Sequence, residues 1–133
     1  MRRQSRKIAL QILFQIEYAP QISFDELLNL FEEQKDSTIL KYADEIIRGV
    51  QIQKEKIDTK IQEASRHWKI DRMGGVDRNI LRLAVFEMFH AHELIEPKIV
   101  INESIEIAKI FGSQESPSFI NGILDQIVRN ARK

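Results

Sequence analysis

Arg2, Arg3, Arg6 and Lys7 place four cations in the opening stretch "MRRQSRK", and no acid follows before Glu17. Side chains of this kind bind anions, because a guanidinium offers a fork of donors that matches phosphate or carboxylate oxygens. The concentration is local. Lys and Arg total 20 against 20 Asp and Glu, so the chain is formally neutral and everything beyond Lys7 is net acidic. A neutral protein does not coat nucleic acid through its overall field. Any polyanion would have to be met by this patch.

On a helix turning about 100° per residue, Arg3, Lys7, Leu10 and Phe14 share one line. Ile8, Ala9, Ile12, Leu13 and Ile16 form a separate apolar stripe, and Arg2 and Arg6 lie between the two. Cations at a helix start oppose the helix dipole, each at a cost of about a few tenths of a kcal/mol. An external anion such as an RNA phosphate would reverse that balance. The internal alternative is pairing with Glu17, Asp25, Glu26, Glu32, Glu33 and Asp36, which face only Lys35 in their own segment. Charge alone leaves these two readings equally open. A membrane-surface helix is a weaker third, since the apolar stripe is needed for a core.

Other chemistry is sparse. The absence of cysteine removes disulfides, thiolate catalysis and Cys-based zinc sites, and fits a reducing, cytoplasmic setting. His90 and His92 are two residues apart and cannot share a helix face, and His67 has no companion ligand at metal-binding spacing. Glu103 and Glu106 have the three-residue spacing common on solvated faces. Glu87 falls inside an apolar run and reads as a satisfied core glutamate rather than a general base. Gly74 and Gly75 lack the longer pattern of a phosphate loop. The expectation is a protein that is not an enzyme and needs no cofactor or metal. Phe119, at the edge of an apolar arc, is either a core-rim residue or a platform on which a single-stranded base stacks.

The elements that must position these residues are helical. Apolar residues recur at helical spacing throughout, without alternation of period two. The first helix is expected over residues 4 to 18, stopped by Pro20. "SFDE" at 23–26 has the capping-box pattern and starts a helix carrying Leu27, Leu28, Leu30 and Phe31. After the break at "KDST", one or two helices run from Ile39 to Ala64, with Gly49 as the weak point. "DRMGG" at 71–75 is the clearest internal break. The following segment, Ile80 to Phe89, is apolar on nearly all sides and predicts a central buried helix. Residues 99–111 predict a helix closed by Gly112 at its C′ position. Ser116 and Pro117 then supply an N-cap and a first-position proline for the last helix.

These elements make an all-α chain of six or seven helices. At 133 residues they suit a single domain, built as two small bundles over about 1–75 and 76–133. No apolar run approaches the length that spans a bilayer. Gln11 and Gln15 spoil a secretory signal. The unbroken passage into the core stripe argues against a mitochondrial transit peptide.

Three segments in order carry a family resemblance over essentially the full length: "RRQSRKIALQILFQIE", "WKIDRMGGVDRNILRLAVFEM" and "INESIEIAKIFGSQESPSFINGILDQI". Together they resemble the NusB family of bacterial transcription antitermination factors. The resemblance implies a non-catalytic adaptor that binds single-stranded boxA RNA in nascent ribosomal RNA leaders. It implies binding together with NusE, a small ribosomal subunit protein, and attachment to elongating RNA polymerase through other Nus factors. Residue by residue, it implies RNA contact by Arg2, Arg3, Arg6, Lys7, Glu115 and Phe119, and partner contact by Leu10, Phe14 and Asp77. Gln4 and Ser5 make this N-terminus less basic than in many relatives, and Phe14 lacks the hydroxyl of a frequent tyrosine. A related domain also forms the RNA-binding part of some ribosomal RNA cytosine methyltransferases, an alternative that needs a long downstream domain. A purely structural helical oligomer, or a homodimer through the Phe14 face, is the remaining alternative.

Overall fold

Seven α-helices and one 3-10 turn carry the chain in the computed structural model, which describes residues 2–32 and 36–132. No strand occurs among the described residues. α1 (Arg2–Tyr18) begins two residues earlier than its apolar stripe predicts and buries Ile8, Ala9, Leu10, Ile12 and Leu13. α2 (Phe24–Glu32) starts with the Glu26 N–H donating to Ser23 Oγ at 3.2 Å. The Ser23 hydroxyl itself reaches the Glu26 carboxylate at 3.2 Å. Leu27 is buried, whereas Leu30 is 71% exposed. Glu33 and Lys35 lie outside the described residues, as do the side chains of Phe31 and Glu32.

The stretch from residue 37 is two helices, α3 (Ser37–Ile52) and α4 (Lys54–Ala64). The break falls at Gln53 and not at Gly49. Gly49 sits inside α3 because Phe86 presses against it: a Cβ there would lie 2.0 Å from Phe86 Cε1. Its low helix propensity, roughly 1 kcal/mol, is offset by the close approach of two helices that it permits.

A 3-10 turn (Ile70–Arg72) leads into α5 (Gly75–Phe89), which is buried on nearly every side, as its composition predicts. α5 packs against α1, α3, α4, α6 (Pro97–Phe111) and α7 (Ser116–Ala131). The buried side chains of all these helices form one cluster. α1 and α5 run antiparallel, since Arg6 meets Glu87 near one end and Phe14 meets Gly75 at the other.

The polar residues that α5 buries are all partnered. Asn79 donates to Glu17 and to the Gly75 carbonyl, and Arg82 holds Asp58 at 2.8 and 3.0 Å. Glu87 accepts from Arg6 at 2.7 Å and from the Tyr42 hydroxyl, as a satisfied core glutamate must.

Two expectations at the α6–α7 turn shift by a residue. Gly112 is the C-cap of α6 with φ −94°, an extended and not a left-handed conformation. Glycine is required there because a Cβ would meet Ser116 Oγ at 2.5 Å and the Ala108 carbonyl at 2.9 Å. Ser116 is already the first residue of α7, and its hydroxyl accepts the Ser113 N–H at 2.9 Å. Glu115 occupies the N-cap position without a side-chain cap.

Candidate RNA and partner interface

The four cations of α1 do not form a uniform patch. Arg3 forks onto Glu103 of α6, with Nε to Oε1 at 2.9 Å and Nη2 to Oε2 at 2.7 Å. That bidentate bond holds the Glu103 carboxyl below its usual range and raises the Arg3 pKa further. Arg2 lies 3.6 Å from the exposed Glu93 and 4.7 Å above the Tyr42 ring. Lys7 is half-buried and, among the described residues, stands in no ion pair.

Arg6 departs from the expected role. Its side chain is only 5% exposed, donates to Glu87 at 2.7 Å and lies 3.4 Å from Glu103. Burial works against its charge, yet the Glu87 hydrogen bond and charge outweigh burial and raise its pKa. Arg6 therefore serves as a core ion pair, because the arc between the cationic line and the apolar stripe turns inward against α5. Ser5, which looked like a missing cation, is also buried and donates to the Ile39 carbonyl at 2.8 Å.

Internal pairing does occur, but among the described residues not with Glu17, Asp25, Glu26 or Asp36. The partners are Glu87, Glu93 and Glu103, from 81 to 100 positions away. Glu17 is committed elsewhere, to Arg78 at 3.0 Å and to Asn79. Burial opposes the charge of Glu17, and these donors overcome it to lower its pKa.

At the other end of α5 the surface is apolar and open. Leu10 is buried, yet with Phe14 it lines a groove of about 490 Å³ completed by Leu27, Leu30, Val76 and Phe111. Phe14 is half-buried, packs on Gly75 and holds its ring 4.6 Å from that of Tyr18. A shallow depression past Phe14 continues to Gly74 and Asp77. Asp77 is in the first turn of α5, where the helix dipole favours an acid.

Asp77 also borders a second cleft, of about 350 Å³, with Trp68, Arg72, Met73, Gly74, Glu115 and Phe119. Phe119 is half-buried and packs on the core; Glu115 is exposed. The structure thus brings Glu115, Phe119 and Asp77 together and keeps them apart from Arg2 and Arg3. Asp77 and Glu87 alone are separated by about 15 Å along α5, at about 1.5 Å per residue. A ligand touching both ends must be a strand and not a single nucleotide.

Trp68 and Arg72 were absent from the sequence-derived set. They lie in the connection between α4 and α5, Arg72 ending its 3-10 turn, where helical periodicity gives no signal, although Trp68 is the chain's single tryptophan. No group of three or more His, Cys, Asp or Glu residues that could hold a metal occurs among the described residues.

Comparison with known proteins finds relatives over nearly the whole chain. The model of the NusB family matches residues 3–129. The transcription antitermination protein NusB of Bdellovibrio bacteriovorus is 54% identical, over 95% of this chain and 93% of its own length. That of Myxococcus xanthus is 38% identical over 95% and 93%. Among solved structures, T. maritima NusB matches with a TM-score of 0.86 and 34% identity, over 97% of this chain and 91% of its own. A structure of antitermination factors NusB and NusE in complex with dsRNA matches with a TM-score of 0.82 and 27% identity, covering 97% and 96%.

Proposed function

This chain belongs to the NusB family, and on that premise we propose that it is a non-catalytic transcription antitermination factor acting in the cytoplasm. It binds single-stranded boxA-type RNA in nascent ribosomal RNA together with NusE, and links that RNA to elongating RNA polymerase through other Nus factors. The observation that carries this reading is the near full-length match to antitermination proteins of similar length. The same match favours it over the RNA-binding part of a methyltransferase and over a structural oligomer. No helix among the described residues is long and apolar enough to cross a membrane.

In this reading the labour is divided. Arg2, Arg3 and Lys7 meet RNA phosphates at the start of α1, with Arg6 fixing the helix that presents them. Phe119 stacks on a base, and Glu115 accepts hydrogen bonds beside it. Phe14, Leu10 and Asp77 mark the face offered to NusE, whose apolar contact is the groove under Leu30. Base stacking is sequence-tolerant whereas hydrogen bonding to base edges discriminates, so the cleft, not the cations, carries selectivity.

A binding titration tests this directly. A boxA oligonucleotide and a scrambled control are each titrated with and without NusE. The expected result is weak binding of boxA alone and tighter binding with NusE, in excess of the scrambled RNA. Equal affinity for both RNAs would reduce the site to a generic basic patch.

A further inference from the structure

We propose that the cleft between Trp68 and Phe119 is a nucleobase pocket that takes an unpaired guanine, with Trp68 as its second stacking wall. The inference rests on the RNA-binding reading above and adds the residue and the base.

Trp68 is 60% exposed, an unusual place for a side chain of that apolar area. Its exposure is not slack. Ser65 Oγ and Gln62 Nε2 both donate to the Trp68 carbonyl, at 2.9 and 3.0 Å. Gln62 Oε1 accepts the Ile70 N–H at 3.0 Å, and Arg78 Nη1 donates to the Met73 carbonyl at 2.7 Å. The turn that displays Trp68 is fixed from both sides, and the cost of ordering it is met before any ligand arrives.

The polar lining selects what enters. Arg72, Asp77 and Glu115 border the cleft, and among the described residues none of their side chains is in a hydrogen bond or ion pair. Two carboxylates repel a phosphate. A neutral base carries no such penalty, and ionised carboxylates only accept hydrogen bonds. Guanine presents two adjacent donors, N1–H and the 2-amino group, which one carboxylate can accept in parallel. Adenine, cytosine and uracil each set an acceptor beside their donor, which a carboxylate repels. Arg72 disfavours a lysine or arginine side chain from a protein and suits the phosphate that follows an inserted base.

Because Trp68 is the chain's single tryptophan, its emission reports on the cleft. The protein is titrated with a boxA-type RNA containing guanine, and with versions carrying inosine or uridine at each guanine in turn. One position should quench Trp68 with guanine, bind several-fold more weakly with inosine, which lacks the 2-amino group, and more weakly still with uridine. Trp68→Ala should weaken binding roughly 5- to 150-fold, the range for losing one stacked base, with helicity unchanged, and Trp68→Phe should restore most of it. Salt-dependent RNA binding with unchanged emission and unaffected Trp68→Ala affinity would overturn the pocket and leave the RNA-binding reading standing. Equal quenching by guanine-free RNA would overturn the guanine assignment. Quenching by a tryptophan-free, lysine- and arginine-rich peptide without RNA would make the cleft a protein site instead. Absence of any RNA binding would overturn both readings.

Discussion

Two ends of α5 treat their chemistry in opposite ways. Near its C-terminal end, charges are consumed internally: Arg6 on Glu87, Arg3 on Glu103, Arg2 over Tyr42. At its N-terminal end, Trp68 and Phe119 share an open cleft with Arg72, Asp77 and Glu115. The first end resembles a joint that fastens α1 to α5 and α6, with Arg2 and Arg3 still partly exposed at its rim. The second resembles a receptor. A count of cations would have assigned the binding work to the first end. The difference teaches that a charge already paired has to be released before it serves a ligand, whereas an exposed aromatic on a fixed turn does not.

The largest expected effect is on stability and belongs to the first end alone. Glu87→Ala leaves Arg6 buried with only the longer Glu103 contact and strips the Tyr42 hydroxyl of its acceptor. The expected loss is about 3 kcal/mol, the lower part of the range for breaking a buried pair, measured by urea denaturation. A loss indistinguishable from that of a surface substitution would break the comparison, because Arg6 would then be free for RNA.

Next comes Phe119→Ala, which should weaken boxA binding by about 1–3 kcal/mol, read by titration at fixed salt. Unchanged affinity with a large loss of stability would return Phe119 to the core and remove one wall of the receptor end.

The smallest effect sharpens the first end through pH. Glu103 has a folded-state pKa below its unfolded value, chiefly through the Arg3 hydrogen bond. Its contribution is fully present above the ordinary glutamate pKa of about 4.3 and is lost as pH falls through the lower folded value. Thermal melts of the native protein and Glu103→Gln should therefore converge on acidification. A gap that persists at low pH would contradict the pairing. His90 acts in the same direction at higher pH. Burial and the nearby Lys60 and Lys56 lower its pKa, so protonation below about 6.5 disfavours the fold.

Much of this architecture was legible because burial writes itself into local spacing. The stripe of α1 and the all-round apolarity of α5 needed no long-range information. Gly49 misled because its weakness as a helix former is local, while its reason for being there, the Phe86 ring, lies on another helix. The leucines of α2 show the limit of spacing: a nine-residue helix buries Leu27 and leaves Leu30 outside. The ion pairs were the least legible part. Glu87 stood out as an odd carboxylate, yet nothing in the spacing links it to Arg6 across 81 positions. The receptor end was half visible: Phe119 marked a helix edge, whereas Trp68 reaches the cleft only through a turn held by Gln62 and Ser65.

The salt dependence of boxA-type RNA binding tests the division between the two ends most directly. With Arg6 committed to the core, Arg2, Arg3 and Lys7 at the start of α1 and Arg72 at the cleft are left to release counterions, so log K should fall with log salt by a slope of roughly −3 or shallower. Arg2→Ala with Arg3→Ala should flatten that slope by about 1 or more, with helicity intact and Trp68 emission still responding to RNA. A slope that is zero in the native protein, or that the double substitution leaves unchanged, would contradict the assignment of phosphate contact to the start of α1.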